Sequence, residues 1–534
     1  MKREIEKLKN EKFDLLVVGG GIHGALIVWE AARNGYKSCL IEKNDFGSQT
    51  SANSLKVLHG GFRYIQHANI KRMRESIYSR KVFQQIAPHL VKNIPFLFPT
   101  AGFNVKSRPA LAVALFLNDI ISADRNKNIL AESKVPCGRT ISKSKLEKIV
   151  PDLENKNING GAVWYETVAL NTERLLFEFL FEANKNGAEL ANYVKAEELV
   201  IEENEVKKVR VKDELTDEEF YINADFIVDS VGPWLNKFLT PKTNYDVLKS
   251  PLTKAVNIII KKNYFKEYAV GIESTKEFKD KDAIINKGKR LFFLVPIGDY
   301  TMIGTTYKVY EDDPDNCKIS EYDLQEIINE VNESYKDFKI KLEDVVQSHA
   351  GILPMQNLES SNEFDVQPDK HSLVFDHKGN VKNLISVKSV KYTTAPSIAK
   401  KVIEVLKIKN ANASVGNKNQ KISLENYSKI KDEFYNTNSN YGSTLLERLW
   451  NTYGVRSSAV INYIEQNDES KKLIFDSEEI YLGEVIYNYE NEMAVTSNDI
   501  IDRRLGLSAF EKVSNDVYKK VVEILKKLNH RELK

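Results

Sequence analysis

The sequence predicts an α/β protein that carries a separate helical domain at its C-terminal end. The first observation is residues 13–43, which run strand, glycine turn, helix and strand. The second is a series of short β-like stretches between residues 190 and 307. The third is the polar, small-residue segment 410–423, after which apolar residues recur at helical spacing. The predicted divisions are a charged N-terminal extension (1–12), an α/β body (13–409), a linker (410–423) and a helical domain (424–534).

The bulk composition excludes several classes of protein. The 534 residues are 42% hydrophobic and 28% charged, the balance of a soluble globular chain, and a formal net charge of +2 favours neither nucleic acid nor a membrane as the general partner. Cys39, Cys137 and Cys317 are too far apart in sequence to predict a zinc site or a disulfide framework. The charged start of the chain and the lack of a long apolar window predict neither a signal peptide nor a spanning helix, so we expect a cytoplasmic protein without a metal.

Residues 13–43 have the pattern of a dinucleotide-binding βαβ unit. The apolar run FDLLVV (13–18) is typical of a buried parallel strand and leads into a GxGxxG turn. Gly19 permits the tight turn, Gly21 lets the backbone approach a pyrophosphate, and Gly24 lets the helix pack closely on the strand. The helix N-terminus attracts phosphate, and Glu42 ends the second strand where a carboxylate can accept ribose hydroxyls. His23 occupies a variable position of the motif and is expected beside the phosphates.

The remaining elements follow from periodicity and composition. We expect a long helix over 65–92, strands over 252–262 and 290–307, a helix over 319–337, and a strand at 384–387 that leads into a helix near Thr394. The helix over 65–92 has a basic face, which a solvated surface explains as well as a function does; its residues are Lys71, Arg72, Arg74, Arg80 and Lys81. In the C-terminal domain the apolar spacing falls on Leu445, Leu449, Val460 and Tyr463.

The segment after Glu42 distinguishes a flavin-binding protein from a nicotinamide-binding one. A plain nicotinamide domain proceeds to another βα unit, whereas here a Ser/Thr/Asn-rich loop, a Gly-Gly turn and an Arg-Tyr pair follow. This order resembles FAD enzymes of the superfamily that oxidises amines and hydroxy acids. The expected cofactor is therefore FAD.

Longer segments resemble one family, the aerobic FAD-dependent glycerol-3-phosphate dehydrogenases. The matching segments are GSQTSANSLKVLHGGFRYIQH (47–67), IAPHLVKNIPFLFP (86–99), VDSVGPWLNKF (228–238), RLFFLVPIGDYTMIGTT (290–306), LISVKSVKYTT (384–394) and EMAVTSNDIIDRRLGLS (492–508). The resemblance implies a Rossmann-like FAD-binding domain interleaved with a mixed-β substrate domain, followed by the helical domain. It also implies an oxidoreductase of glycerol metabolism that converts sn-glycerol 3-phosphate into dihydroxyacetone phosphate and passes electrons to a quinone.

The resemblance also implies roles for individual residues. The ADP half of FAD would be held by Gly19, Gly21, Gly24, Glu42 and Lys43, and the flavin by Thr50, Ser51, Ser54 and Gly60. Val194 would meet the adenine through its backbone, and Ser230, Gly232 and Trp234 would form a second flavin-contact loop. The expected catalytic residues are Arg63, Tyr64, Lys391 and Thr394. Structural roles stay open for three of the residues in these sets. Tyr64 and Trp234 could be core aromatics, and Thr394 could be a helix N-cap.

The substrate half of the family pattern is altered. Leu353 stands where the family has an arginine, Asn257 where it has a histidine, and Ser389-Val390-Lys391 where it has Gly-Gly-Lys. A leucine cannot bind phosphate as a guanidinium does, and an asparagine cannot accept a proton near neutral pH. Lys391 or Tyr64 is then the expected proton handler, with Lys254 as a further candidate.

Three functions are therefore compatible with the sequence. The first is a glycerol-3-phosphate dehydrogenase with a rearranged site. The second is an FAD dehydrogenase or oxidase for a different hydroxylated or amino substrate, and the third is a flavin-bearing binding partner without turnover. The expected partners are a phosphorylated polyol, a quinone, a second copy of the chain and the inner surface of the cell membrane, but no nucleic acid. Candidates for membrane contact are the apolar run 109–117, which could equally be core, and the basic helix.

Overall fold

A computed structural model of the chain describes most of the sequence. The described residues are 1–103, 105–151, 157–239, 249–277, 289–335, 337–356, 366–409, 424, 426–475, 477 and 479–532. Only the backbone is described for Arg63, Gln66, His67, Asn236, Glu277, Lys289 and 530–532. The predicted linker, 410–423, lies outside the described residues.

The first sheet contains the βαβ unit. Among the described residues it has eight strands, with the central order β16-β17-β10-β1-β2-β7 and with β9 and β8 continuing from β10. Its strands are β1 (Lys12–Val18), β2 (Ser38–Ile41), β7 (Glu189–Ala191), β8 (Val194–Glu202), β9 (Glu205–Asp213), β10 (Glu219–Asp229), β16 (Leu373–Asp376) and β17 (Leu384–Lys388). The pairs among β17, β10, β1, β2 and β7 are parallel, as the apolar run 13–18 predicts.

Helices cover one face of this sheet and a small antiparallel layer covers the other. The covering helices are α2 (Ile22–Arg33), α6 (Thr172–Lys185) and α9 (Ala395–Ile408), and their apolar residues form one core with β1 and β17. On the opposite face, β8, β9 and β10 bury Val209, Val211 and Ile222 in a second core. The charged segment 1–12 joins this core, because the short helix α1 (Ile5–Asn10) buries Leu8 there.

The second sheet is the mixed-β part of the body. Within the described residues it has nine strands, in the order β15-β11-β14-β13-β12-β4-β6-β3 with β5 beside β6. Its strands are β3 (Val57–Leu58), β4 (Val91–Ala101), β5 (Arg139–Ser142), β6 (Ile158–Ala169), β11 (Leu252–Ile260), β12 (Ala269–Glu277), β13 (Lys289–Ile297), β14 (Tyr300–Tyr310) and β15 (Val345–Pro354). The two sheets alternate along the chain, so the predicted interleaving of two units is confirmed.

Three further helices lie against this sheet: α4 (Arg108–Ile121), α5 (Lys143–Ile149) and α8 (Glu321–Ser334). A fourth, α3 (Ile70–Ile86), packs against α9 and α6 of the first sheet's helical layer. The helix predicted over 65–92 is thus shorter, because Ala68 has a left-handed backbone (φ 49°), Asn69 caps the helix by accepting from the Arg72 N–H, and Pro88 follows its end. The basic face is not uniformly solvated either, since Arg80 is buried.

The C-terminal domain is helical, as predicted. Its helices are α10 (Tyr427–Thr437), α11 (Ser443–Tyr453), α12 (Ser457–Glu465), α13 (Leu482–Asn491) and α14 (Asn515–Glu532). A hairpin of β18 (Leu473–Phe475) and β19 (Ile480–Tyr481) and a π-helix at Asp499–Arg504 complete it. Buried ion pairs join this domain to the body, including Arg174 with Glu492 and Arg456 with Glu178. The remaining short helix of the body is α7 (Leu235–Phe238).

Candidate functional site

A large cavity of about 880 Å³ is lined by residues of both sheets. It begins at the carboxyl ends of β1, β2 and β10, where open α/β sheets bind their ligands, and continues between β4, β6, β11 and β15 of the second sheet. Its size is that of a cavity for a cofactor with room for a small substrate. Most of the predicted site residues line it.

The glycine turn at the end of β1 shows two kinds of glycine. Gly19 has a left-handed backbone (φ +101°), and a Cβ on Gly24 would lie 1.8 Å from the carbonyl oxygen of Gly19. Both are therefore required by the protein's own packing, as predicted for a tight turn and a close helix–strand contact. Gly21 differs, because a Cβ there would meet only the Ser51 Oγ, at 3.2 Å, and would project at the cavity. Its space is left open for a ligand.

Glu42 holds the glycine turn as well as facing the cavity. Its carboxylate accepts hydrogen bonds from the backbone N–H of Gly20 (2.6 Å) and of Asn44 (2.9 Å). Burial raises the pKa of Glu42, and the two N–H donors oppose that shift. The position is the one predicted for a carboxylate that accepts ribose hydroxyls.

The Ser/Thr-rich loop that follows lines the next part of the cavity. The Ser51 Oγ accepts from the Ile22 N–H at the start of α2 (3.0 Å), and the Thr50 hydroxyl donates to the carbonyl of Ile352 (3.2 Å). Ser54 also lines the cavity. Gly60 does not: its N–H donates to the buried carboxylate of Glu166, and a Cβ there would lie 2.1 Å from the guanidinium of Arg80. Its role is to let the chain pass close to Arg80.

The opposite wall of this end is formed by the loop after β10. Val194, Ser230, Gly232 and Trp234 line the cavity there, as does Lys43. The indole N–H of Trp234 donates to Asp315 (2.9 Å), and the Lys43 ammonium lies 4.1 Å above the indole ring and 2.7 Å from the same carboxylate. Trp234 is therefore part of the wall rather than a core aromatic. The Val194 N–H donates a hydrogen bond to the carbonyl of Glu42 (2.8 Å).

Unpartnered polar atoms test whether this part of the cavity suits an FAD. Within the described part of the chain, the His23 Nε2, the Ser48 Oγ and the Ser230 Oγ are buried and have no hydrogen-bond partner, and all three residues line the cavity beside the glycine turn. Buried polar atoms are nearly always paired in a working protein, so these positions fit a polar ligand such as a pyrophosphate. Burial lowers the pKa of His23 to about 4.

The end of the cavity away from the glycine turn, called the substrate end, brings together residues that are far apart in sequence. The Lys391 ammonium donates to the Tyr64 hydroxyl (2.8 Å), and Thr394 lines the cavity beside them while its hydroxyl donates to the carbonyl of Lys391 (3.0 Å). Thr394 precedes α9 but its side chain does not cap that helix. The side chain of Arg63 lies outside what the structure describes.

The sequence interpretation missed His59. This residue lines the cavity, and its Nδ1 lies 3.9 Å from the carboxylate of Glu166. Glu166 is fixed by the Trp164 indole N–H (3.1 Å) and the Gly60 N–H. Burial alone would raise the pKa of Glu166, but His59 and Arg80 outweigh burial and hold that pKa below its usual range. A histidine directly before the Gly-Gly turn was the signal that could have found it.

The three departures from the family pattern, at Leu353, at Asn257 and at 389–391, all line the cavity. Leu353 lines it from β15, and Asn257 lines it from β11 with its Oδ1 accepting from the Thr305 hydroxyl (2.7 Å). Lys254 is not among the lining residues, because its ammonium is bound to Asp323 (2.7 Å). Lys254 is therefore not placed to help at the site.

Comparison with known proteins decides the family. Residues 14–405 match the model of the FAD dependent oxidoreductases, and residues 415–531 match the C-terminal domain of alpha-glycerophosphate oxidase. The chain belongs to the FAD-dependent oxidoreductase family. The predicted cofactor, FAD, and the predicted fold class are thereby confirmed.

Relatives support the more specific resemblance. A glycerol-3-phosphate dehydrogenase of Synechocystis is 26% identical over 96% of this chain and 92% of its own length, and an aerobic glycerol-3-phosphate dehydrogenase of Staphylococcus haemolyticus is 25% identical over 100% and 94%. An alpha-glycerophosphate oxidase of Streptococcus pneumoniae is 31% identical to this chain. The matched region covers 68% of this chain and 57% of that relative. The FAD complex of a Bacillus halodurans glycerol-3-phosphate dehydrogenase shares the fold, with a TM-score of 0.71 at 22% identity and coverage of 99% and 93%.

Proposed function

We propose that this chain oxidises sn-glycerol 3-phosphate to dihydroxyacetone phosphate. The observation that carries the proposal is the meeting of two polar pairs, His59 with Glu166 and Lys391 with Tyr64, in the cavity whose other end fits FAD. Bound FAD supplies the acceptor for the hydride that leaves the substrate carbon. The chain's own residues must then bind the anion and remove the hydroxyl proton.

His59 is the residue suited to take that proton. An imidazole can accept a proton near neutral pH, and Glu166 lies where its negative charge stabilises the imidazolium that forms. Glu166 is itself held by Trp164 and Gly60, so its charge stays in place beside His59. We assign the proton to His59 in preference to Lys391 or Tyr64, the residues that the sequence favours, because those two side chains already bond to each other.

Lys391 supplies a positive charge for the phosphate. It comes from the loop between β17 and α9, whereas Tyr64 comes from the turn before α3. Their hydrogen bond therefore connects two separate segments of the cavity wall. A phosphate beside Lys391 would receive an ammonium donor, and the Tyr64 hydroxyl could donate to it as well. Both residues therefore serve binding and orientation.

A second candidate substrate class follows from Leu353 and Asn257. Both line the cavity, and neither offers a charged donor to a phosphate. The apolar wall formed by Phe96, Trp164 and Phe293 extends this character. These residues favour an alternative in which the chain oxidises a different hydroxylated or amino compound with FAD.

A quinone at a membrane surface is the electron acceptor that we propose. No helix in the described residues is long and apolar enough to span a bilayer. However, α4 carries the run 109–117, and its two faces differ: Leu111 and Ala114 line the cavity, whereas Phe116 and Ile120 are 65% and 55% exposed. The helix is thus a thin wall between the cavity and an exposed apolar surface, which suits the entry of an apolar acceptor from a lipid surface.

Anaerobic mixing of the FAD-loaded protein with glycerol 3-phosphate tests the function. Loss of the absorbance of oxidised flavin when glycerol 3-phosphate is added supports the proposal. A panel of hydroxylated and amino compounds with and without phosphate decides between the two substrate classes, and hydrogen peroxide formed in air would show oxygen as the acceptor instead of quinone.

A further inference from the structure

Asp45 is a buried contact point between the cofactor loop and the C-terminal domain. It lies three residues after Glu42, and its carboxylate is fully buried. The Arg504 guanidinium donates to both of its oxygens, one at 2.9 Å, and Arg503 donates to one of them. We propose that this clamp, which the docked C-terminal domain provides, holds the cofactor loop in the conformation that retains FAD.

The clamped loop is the one that shapes the pyrophosphate turn. Two residues beyond Asp45, the Gly47 N–H donates to the carbonyl of Gly20 (3.1 Å). Phe46 is buried against Gly20, where a Cβ would lie only 2.6 Å from its ring. Further along, Ser51 holds the first N–H of α2. A displacement of Asp45 would therefore move the backbone that cradles the phosphates.

A second contact fixes the neighbouring segment at the same place. The Tyr193 hydroxyl donates to Asp499 of the π-helix (2.8 Å), and the Tyr193 N–H donates to the carbonyl of Asn44 (3.0 Å). Asn192 donates to Asp45 and to the carbonyl of Met493, each at 2.9 Å. The residue after Tyr193 is Val194, which lines the cavity. The C-terminal domain thus holds both sides of the cofactor's ADP end.

The electrostatics make the clamp strong and hard to replace. Burial would raise the pKa of Asp45, but Arg504 and Arg503 outweigh burial and lower it to about 2. Arg504 also donates to the carbonyl of Glu492 and stacks 4.1 Å from the Phe177 ring, so its position is fixed by the body and by its own domain. A buried carboxylate that loses such a partner is left uncompensated, and the loop must then move toward water.

These contacts couple two equilibria. The clamp orders loop 44–51, and a bound FAD stabilises the same ordered loop, so formation of the clamp and binding of FAD must favour each other by the same factor. Another buried ion pair between the two domains offers a control without this link. Glu178 on α6 receives two hydrogen bonds from Arg456, and Glu178 does not line the cavity.

The test measures FAD release from the holoprotein as the rise of free-flavin fluorescence after dilution, well below the unfolding temperature of each variant. Asp45→Asn keeps the shape of the side chain and removes its charge, Arg504→Lys removes the two-pronged contact, and Glu178→Gln is the matched control. We expect the first two variants to release FAD on the order of ten-fold faster, within the about 5- to 150-fold range of coupling between linked sites. Glu178→Gln should lower the unfolding temperature yet release FAD at the wild-type rate.

Two results would overturn the proposal. One is release at the wild-type rate from both Asp45→Asn and Arg504→Lys. The other is equal acceleration in Glu178→Gln, which would mean that the clamp at Asp45 has no effect of its own on the cofactor. If Asp45→Asn does not fold, Arg504→Lys and the control decide the question, because lysine keeps the charge that stabilises Asp45.

Discussion

The Lys391 ammonium and the Tyr64 hydroxyl, 327 positions apart in the chain, form a hydrogen bond of 2.8 Å inside the cavity. The Lys391 ammonium and the Arg72 guanidinium also lie over the Tyr64 ring, 5.1 and 5.3 Å from its centre. Tyr64 is therefore a buried side chain with two cations close to its ring. Its hydroxyl is oriented toward Lys391, so an anion that enters here meets a prearranged pair of donors.

Gly21 should be required for FAD but not for folding. In Gly21→Ala the new Cβ meets only the Ser51 Oγ within the protein, so the fold should stay within about 1 kcal/mol of the wild type in its free energy of unfolding, the usual cost of glycine and alanine exchanges. The same atom takes the space that a pyrophosphate needs. We expect purified Gly21→Ala, and more clearly Gly21→Val, to carry little flavin by absorbance at 450 nm (about the usual flavin maximum).

Gly24→Ala is the matched control for that variant. Its Cβ would lie 1.8 Å from the Gly19 carbonyl oxygen, so it should destabilise the chain whether or not FAD is present. Circular dichroism melts without added FAD separate the two variants. A folded Gly21→Val protein with full flavin content would contradict the assignment of this turn to the pyrophosphate.

His59 should carry the proton transfer. His59→Asn removes the acceptor next to Glu166 while leaving a polar side chain of similar reach, and we expect the rate of flavin reduction by substrate to fall by about 10²- to 10⁴-fold with FAD content unchanged. Glu166→Gln should cause a smaller loss, because the imidazole remains. Single-turnover absorbance measurements give both rates, and an unchanged rate in His59→Asn would return the role to Lys391 or Tyr64.

Leu353 should limit the affinity for phosphate. In Leu353→Arg a guanidinium enters the cavity, and a charged hydrogen bond of about 1.5–3 kcal/mol would lower the KM for glycerol 3-phosphate by roughly 10- to 150-fold. Leu353→Met, which conserves volume and adds no charge, is the control. A KM that stays the same in both variants, together with no new inhibition by inorganic phosphate, would mean that position 353 does not meet the substrate's charged group.

The exposed face of α4 should govern attachment to lipid. Phe116→Glu places a charge in the middle of the apolar face, whereas Leu215→Glu changes an exposed leucine on the turn between β9 and β10. In cosedimentation with vesicles at low salt, we expect the wild type and Leu215→Glu to pellet and Phe116→Glu to stay in solution. Wild-type protein that never pellets with the vesicles would contradict attachment to a membrane.

The βαβ unit could be predicted because it is local. Its strand, glycine turn, helix and terminal acid all lie within residues 13–43, and the structure places Gly19, Gly24 and Glu42 as the motif requires. The helix predicted over 319–337 and the strand predicted at 384–387 are equally regular in sequence and form α8 and β17, and the helix predicted near Thr394 is α9. The helix over 65–92 was overestimated, because a left-handed residue and an N-cap interrupt a pattern that composition alone leaves continuous.

The residues that were missed depend on long-range contacts. His59 gained its significance from Glu166, which lies on β6 and is fixed by a tryptophan on the same strand. Asp45 looked like an ordinary loop residue until the structure joined it to Arg504, 459 positions away. Gly60 was expected at the flavin and instead accommodates Arg80. No sequence periodicity encodes such pairings, since each is set by how the two sheets and the C-terminal domain pack.

The most direct test of the account is the rate at which glycerol 3-phosphate reduces the bound flavin without oxygen. Stopped-flow absorbance of the wild-type holoprotein should show saturable bleaching that is slow, because Leu353 offers no charged donor to the phosphate, and that nearly disappears in His59→Asn. Glycerol without phosphate should bleach the flavin still more slowly, since it offers no anion to Lys391. If glycerol 3-phosphate at saturating concentration leaves the flavin oxidised while another hydroxylated or amino compound bleaches it, the proposed substrate is wrong.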